Sequence, residues 1–514
     1  MNESEANPNL LLSTVLTGIG VKYNSLCFGV LGGLVQHTQQ DAWFEVHNDY
    51  MWATGTLSWD PFYGVLRDNE LMRTRAKQMG LDFHHGVSLV IRAYVFGLIT
   101  DLWGDAPYTD ALQAELGGPQ YSFPKFDQQD VIYKGILDEL KQANKLLSQA
   151  DASYDVRSNS DVFFGGKASK WRRFANALAL RYYMRLSEKE PAFAKQGVEQ
   201  IMANQAVFPI FTDAREEVLM DFVGNNSGDA WPSNTIFDAS GSNFRRMKMC
   251  ATLVESLQQH HDPRLPVWAK RVEIPIEVHT SAPANTDRIV NGVRVLSPDM
   301  LRGIPVNTDP EYVGLPPSGS KNPSAYNMNP TPGQTSINPH VSYLSDTYKS
   351  ASGDLLKARL LAASEVNFML AEAALKGWQV PESAKFYYER GIWSSLQSWG
   401  QTAAYASYIK QEGVAFNHTL AQLMEQKWIS NWTTAAQAWF DYRRTGFPQF
   451  KAGPAASRSQ LPLRIPYTQQ EINVNQKNVE LALKRIQKTA YSQVDMENSA
   501  WSKSWLLQGT GKPW

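Results

Sequence analysis

The stretch VIRAYVFGLITDLWGDAPYTDAL, Val90 to Leu112, joins an apolar run to an abrupt series of turn-forming residues. Apolar residues fall on nearly all sides of the helix predicted for Val87 to Trp103, which indicates a central, buried helix. Gly104 suits a left-handed helix end, and Pro107 prevents the helix from continuing. Arg92, the charge in the middle of the apolar run, is expected to pair with a carboxylate or with carbonyls.

The turn after this helix has the polar and aromatic side chains of either a working site or a helix stop. Its most prominent members are Trp103, Asp105 and Tyr108. We expect Asp105 to bond back to the loop amides as an Asx-type turn. We therefore interpret the stretch as an architectural element and expect the ligand contacts in loops elsewhere.

The composition is that of a soluble globular chain without a dominant charge. There are 49 basic and 50 acidic residues in 514, so no net field favours nucleic acid or an acidic membrane surface. The apolar segment Leu10 to Val35 is interrupted by Lys22, Asn24 and glycines, and it is interpreted as buried helices rather than a membrane span. Cys27 and Cys250 form neither a disulfide framework nor a zinc site.

Helical periodicity appears on both sides of a long irregular zone. It is clearest in the segments Phe62 to Met79, Val87 to Trp103, Val131 to Leu147, Ser169 to Leu186 and Phe193 to Asn204, and it resumes in LLKARLLAASEVNFMLAEAAL, ESAKFYYERGIWSSL and TLAQLMEQKWISNWTTAAQAWFDYRR. Prolines and glycines are scattered between these two parts. We predict one domain over 1–514, with helical pairs in 10–211, a loop-rich ligand-binding insert in 212–350, and helical pairs with a tail in 351–514.

Small residues in the second helical part predict close helix packing. Alanines such as Ala362, Ala371 and Ala384 recur at helical spacing, which is typical of tetratricopeptide-like repeats, although no strict repeat length is visible. The predicted fold class is mainly α: an irregular tetratricopeptide-like helical-pair solenoid with a large loop-rich insert.

No catalytic or metal-binding motif is present in the sequence. It lacks H-E-x-x-H, G-x-S-x-G and the Rossmann glycine pattern, and FFGGKASKW departs from a phosphate-binding loop. The neighbouring histidines His84 and His85, like His260 and His261, point in different directions on a helix and cannot readily share a metal ion. We therefore assign no catalytic residue, metal or cofactor. Paired carboxylates from distant parts of the chain stay open as an alternative.

Aromatic residues beside amides and carboxylates are the positive signal in the sequence. Two segments show it best, DAWFEVHNDYMWATGTLSW (Asp41 to Trp59) and NNSGDAWPSN (Asn225 to Asn234). Aromatic faces with nearby hydrogen-bonding groups suit sugars or the side chains of peptides. The predicted ligand-binding residues are Asn48, Tyr50, Trp52, Trp231, Asn234, Phe237, Tyr312, Tyr326 and Asn327. By contrast Trp59, Trp428, Trp432 and Trp439 are expected to pack in the core.

A series of motifs, in a fixed order, resembles the SusD/RagB-like nutrient-binding lipoproteins of the Bacteroidetes outer membrane. It comprises RAYVFGLITDLWGDAPYTDAL, DVFFGGKASKWRRFANALALRYYMRL, DPRL, EVNFMLAEAAL, AWFDYRRTGFP and LRIPYTQQEINVN, and it spans roughly residues 40 to 485. The segment around Trp171 and Phe174-Ala175-Asn176 is closer to the second SusD-like branch than to the starch-binding prototype. No ligand residue of the prototype is therefore carried over.

The resemblance implies a cell-surface location and a partner. Members are tethered to the outer membrane by a lipid on an N-terminal cysteine and cover a TonB-dependent SusC-like transporter. The opening MNESEANPN is polar and acidic, unlike a signal peptide, so either the protein is cytoplasmic or its export segment has been removed. With the resemblance, we expect the second case, with the lipidated cysteine also absent from this chain.

The leading hypothesis is a non-enzymatic binder that captures an oligosaccharide and passes it to the transporter. A peptide-binding member of the same family is one alternative. A helical glycoside hydrolase or lyase is another, and it would require two carboxyls about 5–10 Å apart across a cleft. A tetratricopeptide-like scaffold with only protein partners is the third.

Overall fold

Paired helices form the first part of the computed structural model, which describes residues 7–150, 159–512 and 514. Helix α1 packs on α3, α3 on α4, α4 on α6, and α6 on α7. The helices are α1 (Pro8–Phe28), α2 (Val30–Leu34), α3 (Asp60–Met79), α4 (Asp82–Trp103), α5 (Pro119–Ser122), α6 (Gln129–Gln149), α7 (Ala168–Arg185) and α8 (Pro191–Ala203). The long segments predicted from periodicity are therefore confirmed as helices.

Helical pairs return after residue 362, where α12 packs on both α13 and α15. Between 212 and 350 the helices are short. The remaining helices are α9 (Ser242–Arg245), α10 (Ala251–Gln259), α11 (Leu265–Trp268), α12 (Ala363–Leu375), α13 (Ala384–Ser398), α14 (Tyr405–Tyr408), α15 (Leu420–Ser430), α16 (Ala435–Thr445), α17 (Gln469–Val474) and α18 (Gln476–Leu483). The mainly α, tetratricopeptide-like fold class is confirmed.

Short strands connect the irregular middle of the chain to the helical parts. Strand β1 pairs with β5, β2 with β3 and β4 with β9, all antiparallel, while β8 lies between β6 (parallel) and β7 (antiparallel). The strands are β1 (Thr38–Gln40), β2 (Ala106–Pro107), β3 (Phe126–Asp127), β4 (Val218–Asp221), β5 (Met247–Met249), β6 (Ile276–Val278), β7 (Asp287–Val290), β8 (Val293–Leu296) and β9 (Lys357–Leu361).

Helix α4 is the central helix of the first part. Nearly every residue from Val87 to Trp103 is buried, as its all-round apolar pattern predicts. Two helical segments of the described chain are long and apolar enough to cross a membrane, Pro8–Leu34 and Asp82–Trp103. The second is 94% buried inside the protein and the first 56%, so burial in the core accounts for the apolar character of α4 and of one face of α1.

The turn that ends α4 connects three parts of the fold. Gly104 has a φ of +97°, a value that favours glycine. Asp105 does not form the predicted Asx-type turn. Its Oδ1 accepts a hydrogen bond from the backbone N–H of Gln129 (3.0 Å), and its Oδ2 accepts one from Nε of Arg485 (2.6 Å). The prediction was wrong because long-range partners, invisible in local sequence, take both oxygens.

Arg92 has the carboxylate partner that its position in an apolar helix predicts. Its Nε lies 2.8 Å from Oε1 of Glu139, which also accepts a hydrogen bond from the hydroxyl of Tyr108 at 2.8 Å. The guanidinium carbon lies 4.6 Å from the ring centre of Phe96 and 5.1 Å from that of Tyr108. The side chains of this motif therefore join α4 to α6 and form part of the architecture.

The helix predicted for the stretch that begins at Leu355 starts later than expected. Residues Lys357–Leu361 form strand β9, and α12 begins only at Ala363. The prediction was wrong at this point because β9 pairs with β4, which is more than a hundred residues away along the chain. Local periodicity does not contain such a partner.

Glu217 joins β4 to the start of α12 and is buried. Its Oε1 accepts a hydrogen bond from the N–H of Ala363 (2.9 Å), and both carboxylate oxygens lie 3.0 Å from the hydroxyl of Ser398. Burial raises the pKa of Glu217 to about 7, although the charge of Arg359 acts in the opposite direction. The carboxyl therefore changes charge near neutral pH in the folded protein.

We expect Glu217→Gln to flatten the pH dependence of stability. Because the pKa of Glu217 rises from 4.5 to about 7 on folding, the folded state binds the proton more tightly. The stabilisation that the protonated carboxyl contributes is fully present below pH 4.5. It is lost as the pH rises to about 7, which lowers the free energy of unfolding by on the order of 1–3 kcal/mol. Urea unfolding at about pH 5 and about pH 8 measures the loss. The exposed Glu382→Gln is the control, and an unchanged pH slope in Glu217→Gln would contradict the assignment.

Candidate functional site

Most residues predicted to bind ligand are buried. Each of the following has 6% or less of its surface exposed: Asn48, Tyr50, Trp52, Trp231, Asn234, Tyr312 and Asn327. In this structure their side chains contribute to the core and to loop architecture and have almost no surface open to a ligand.

Trp231 is fully buried among other rings. Its ring centre lies 4.9 Å from that of Phe28, 5.5 Å from that of Phe222 and 5.9 Å from that of Tyr348. Trp52 contacts the ring of Trp439 edge-on at 5.4 Å. Both indoles also donate their N–H within the protein, Trp231 to Oγ of Ser233 and Trp52 to a backbone carbonyl. The polar neighbours in the sequence are thus partners of the buried indoles.

The predicted asparagines hold loops together. Asn48 exchanges two hydrogen bonds with the backbone of Gln40, at 2.9 and 2.7 Å. Asn327 accepts a hydrogen bond from the N–H of Asn307 and donates to the carbonyls of Asn307 and His340. Asn234 similarly bridges backbone groups within its own loop. Their amide groups are engaged by the protein.

Phe237 and Tyr326 are the predicted aromatic residues that reach the surface. Phe237 is 42% exposed, and Tyr326 is half-buried. No ring contact joins them among the residues that the structure describes. The structure therefore does not bring the predicted set together as one site.

Trp43 presents the most exposed indole of the described chain, and sequence reasoning did not single it out. Its side chain is 57% exposed, and its φ is +51°. A bulky residue in this region of φ is strained by about 1–3 kcal/mol, a cost that recurs at functional sites. Trp43 lies within the aromatic segment Asp41 to Trp59 that the sequence highlighted, but nothing in the spacing distinguishes it from Trp52.

Strand pairing between β1 and β5 places Trp43 beside Arg246. Gln40 lies opposite Met247, and the N–H of Asp41 donates to the carbonyl of Arg246 at 3.1 Å. The guanidinium carbon of Arg246 lies 4.9 Å from the ring centre of Trp43. Trp43 follows β1 and Arg246 precedes β5. Because the two strands are antiparallel, both residues lie at the same end of the strand pair.

We define the Trp43 surface as Trp43, Arg246 and Asp238. Partial burial lowers the pKa of Arg246, and the nearby charge of Asp238 opposes that shift. Among the described residues, the guanidinium of Arg246 makes no hydrogen bond or ion pair. Its Nε is buried, so the two terminal Nη groups are the ones that can reach a ligand. Asp238 organises its own loop by accepting from the N–H of Asn243 at 2.9 Å.

A buried ion pair lies at this end of the strand pair. Nζ of Lys248 is 2.7 Å from Oδ2 of Asp41, and both side chains are buried. Burial lowers the pKa of Lys248 to about 8 and raises the pKa of Asp41. The ammonium also lies 4.1 Å from the ring centre of Tyr343, which is stacked with Phe244. The pair fixes the loop that holds Trp43.

Loops from three parts of the chain meet at Asn48 and Asp49. Nζ of Lys321 contacts Oδ2 of Asp49 at 2.8 Å and the carbonyl of Ala455 at 2.6 Å. Ser318 donates its hydroxyl to the carbonyl of Asn48. These contacts join the segment of Trp43 to the loop-rich zone and to the segment after α16.

The surface combines an aromatic face, a free guanidinium and a carboxylate. This set can stack on an apolar face of a ligand and exchange hydrogen bonds with its hydroxyl groups. No group of three or more His, Cys, Asp and Glu side chains that could hold a metal ion occurs in 7–150 and 159–512.

The fold is similar to several solved structures at low sequence identity. A chitin-binding protein matches with a TM-score of 0.75 and 22% identity over 97% of this chain and 99% of its own. A SusD homolog from Bacteroides fragilis NCTC 9343 matches with a TM-score of 0.74 and 20% identity over 98% and 99%. A SusD-like protein from Bacteroides thetaiotaomicron VPI-5482 matches with a TM-score of 0.70 and 20% identity over 97% and 98%. These likenesses show a SusD-like fold.

The sequence itself identifies the family. The family model of SusD-like_2, described as "Starch-binding associating with outer membrane", matches residues 2–280 and 306–468. The chain therefore belongs to this family, as its motif order predicts. Among curated proteins, no sequence matches the chain significantly.

Proposed function

We propose that this protein is a non-enzymatic, cell-surface binder that captures a neutral oligosaccharide on the Trp43 surface and delivers it to a TonB-dependent SusC-like transporter. The family description, which joins starch binding to the outer membrane, supports the ligand class and the location. The SusD-like fold of a chitin-binding protein also supports the ligand class. A lipid on the native N-terminus would hold the protein at the extracellular face of the membrane.

The observation that carries the proposal is the exposed indole of Trp43 beside an unpaired guanidinium. Trp43 is 57% exposed although its ring is large and apolar, and its strained backbone conformation is maintained by the surrounding loops. An aromatic contact contributes about 0.5–1.5 kcal/mol, and a hydrogen bond about 1 kcal/mol net. A few such contacts give modest affinity, which suits a protein that must release its cargo.

Binding without cleavage is favoured over glycoside hydrolysis because three carboxylates of the Trp43 surface and its segment are held by other groups of the protein. Asp238 accepts hydrogen bonds from the hydroxyl of Ser240 and the N–H of Asn243. Asp41 is paired with Lys248, and Asp49 with Lys321. A glycosidase needs one carboxyl that is free to donate a proton and a second that is free to act as a base or nucleophile. Lysine partners hold both of these carboxylates in structural ion pairs.

We expect Trp43→Ala to weaken oligosaccharide binding by about tenfold or more, because it removes the aromatic face while leaving the loop in place. Isothermal titration calorimetry with maltoheptaose and chitohexaose measures the affinity. Trp43→Phe, which keeps a smaller ring, should lose less. The half-buried Trp393→Ala, on α13, is the matched control and should bind as the wild type does.

Equal affinities for wild-type protein and Trp43→Ala would show that the Trp43 surface is not the binding site. A wild-type protein that binds neither sugar but binds peptides would favour the peptide-binding alternative. The unfolding transition of each variant, followed by circular dichroism, separates lost binding from lost folding.

A further inference from the structure

An open groove lies apart from the Trp43 surface in the sequence. It runs between the segment 110–125 and the corner where α17 meets α18, and its volume is about 770 Å³. Its lining includes Gln120, Phe123, Asn473, Val474, Gln476 and Asn478. It shares no residue with the Trp43 surface.

Side-chain amides hold the two walls of the groove at a fixed separation. Nδ2 of Asn475 donates to the carbonyl of Pro124 at 2.8 Å, and Nδ2 of Asn478 donates to the carbonyl of Phe123 at 2.9 Å. Gly117 and Gly118 have φ values of +71° and +99°, which allow the chain to turn before α5. The groove is therefore built from ordered parts.

The walls expose apolar side chains that a folded chain normally buries. Phe123 is 47% exposed and Val474 is 60% exposed. Leu481 and Val131, which line the adjoining hollow, are 46% and 41% exposed. Exposed apolar residues gathered in one hollow mark a binding surface more often than scattered ones do.

Amides with unused hydrogen-bonding capacity surround the exposed ring. The carboxamide of Gln120 makes no hydrogen bond within the described residues, and Oδ1 of Asn478 accepts none there. Gln476 donates its Nε2 to Glu480 at 2.8 Å, which leaves its Oε1 free. Carboxamides both donate and accept, so they match hydroxyl groups, which also do both.

The charges of the groove balance and point to an uncharged ligand. Asp110 lies 3.6 Å from Nζ of Lys125, and Lys477 and Glu480 add one charge of each sign. The electrostatic field of this groove would not attract a ligand with a strong net charge. A neutral polyhydroxylated chain would gain the apolar contacts and the amide hydrogen bonds without the cost of desolvating a charged group.

Two smaller hollows adjoin the groove in turn. Lys125 and Asn478 line both the main groove and an adjoining hollow of about 270 Å³. Gln128 and Arg485 connect that hollow to a third of about 290 Å³, which reaches Trp505. A row of neighbouring hollows suits a chain of several sugar units better than a compact small molecule.

We infer that this groove is a second binding site for a neutral oligosaccharide, with the ring of Phe123 as the stacking platform and Gln120, Gln476 and Asn478 as hydrogen-bonding partners. The inference shares only its ligand class with the proposed function. A glycan long enough to reach both sites would be bound at two points, which raises the apparent affinity for polymer over short fragments.

The test combines two substitutions at the two sites. Calorimetric titration with maltoheptaose and chitohexaose is carried out on the wild type, Trp43→Ala, Phe123→Ala and the double variant. Phe386→Ala is the matched control, because Phe386 is 44% exposed on α13 and does not line the groove. We expect a second class of sites that survives Trp43→Ala and is weakened about fivefold or more by Phe123→Ala.

Each outcome decides between the two sites. One outcome is that Trp43→Ala removes binding while Phe123→Ala and Phe386→Ala leave it unchanged. This result overturns the second site and supports the proposed function. Binding lost in Phe123→Ala but kept in Trp43→Ala supports the groove and contradicts the Trp43 surface. If the wild type binds neither sugar, both are overturned. Gln120→Ala, an exposed substitution that should not affect folding, must weaken the same class of sites as Phe123→Ala.

Discussion

Trp231→Ala is expected to lower the free energy of unfolding by about 3–5 kcal/mol, because it leaves a large cavity in the core. The indole is fully buried and contacts Phe28, Phe222 and Tyr348. These partners come from α1, from the end of β4 and from the segment before β9, so the cavity would loosen three parts of the fold. Urea unfolding followed by tryptophan fluorescence and circular dichroism measures the loss.

Phe237→Ala is the control for this prediction. Phe237 lies six residues further along the same loop but is 42% exposed, so its truncation should change stability by about 0.5 kcal/mol or less. The folded fraction of Trp231→Ala should keep the affinity of the wild type for oligosaccharide. Wild-type stability together with lost binding would instead assign Trp231 to the ligand site.

Glu372→Ala is expected to be equally severe, with a loss of about 3–5 kcal/mol, because it leaves a buried guanidinium without its main partner. Oε2 of Glu372 lies 2.6 Å from Nη2 of Arg444, and neither side chain is more than 3% exposed. Arg444 also contacts Asp441, which in turn holds Lys427 at 2.8 Å. The network joins α12, α15 and α16.

Two comparisons separate lost charge pairing from lost packing at Glu372. Glu389→Ala breaks the half-exposed pair with Lys385 on α13 and should cost less than about 1 kcal/mol. The double variant Glu372→Met with Arg444→Leu removes both charges and should recover much of the stability lost by Glu372→Ala. If Glu372→Ala unfolds at the same urea concentration as Glu389→Ala, the buried network contributes little to stability.

Sequence reasoning was most successful where the signal is local. The helix from Val87 to Trp103 follows from its apolar pattern, and the partner type of Arg92 follows from the cost of burying a charge. The order of motifs identified the family. Where a distant strand decides the structure, as at Lys357–Leu361, the local pattern predicted a helix and was wrong.

The candidate site could be predicted only as a region. The segment Asp41 to Trp59 includes both Trp43 and Trp52, and the sequence around each has similar aromatic and polar residues. Which indole turns outward depends on the pairing of β1 with β5 and on a positive φ at Trp43. Both are consequences of long-range packing. The Trp231 segment is a second case in which the local sequence could not separate exposed from buried aromatic residues. Its polar neighbour Ser233 accepts the hydrogen bond of the buried indole N–H.

We expect the Trp43 surface to bind a neutral oligosaccharide and to leave it intact. The most direct measurement is a calorimetric titration of the wild-type protein with maltoheptaose and chitohexaose, followed by chromatography of the sugar recovered from the same sample. We expect saturable heat with at least one of the sugars, about tenfold weaker binding in Trp43→Ala, and recovery of the sugar at its original length. Shorter sugars in the recovered sample, or no binding of either sugar, would contradict this expectation.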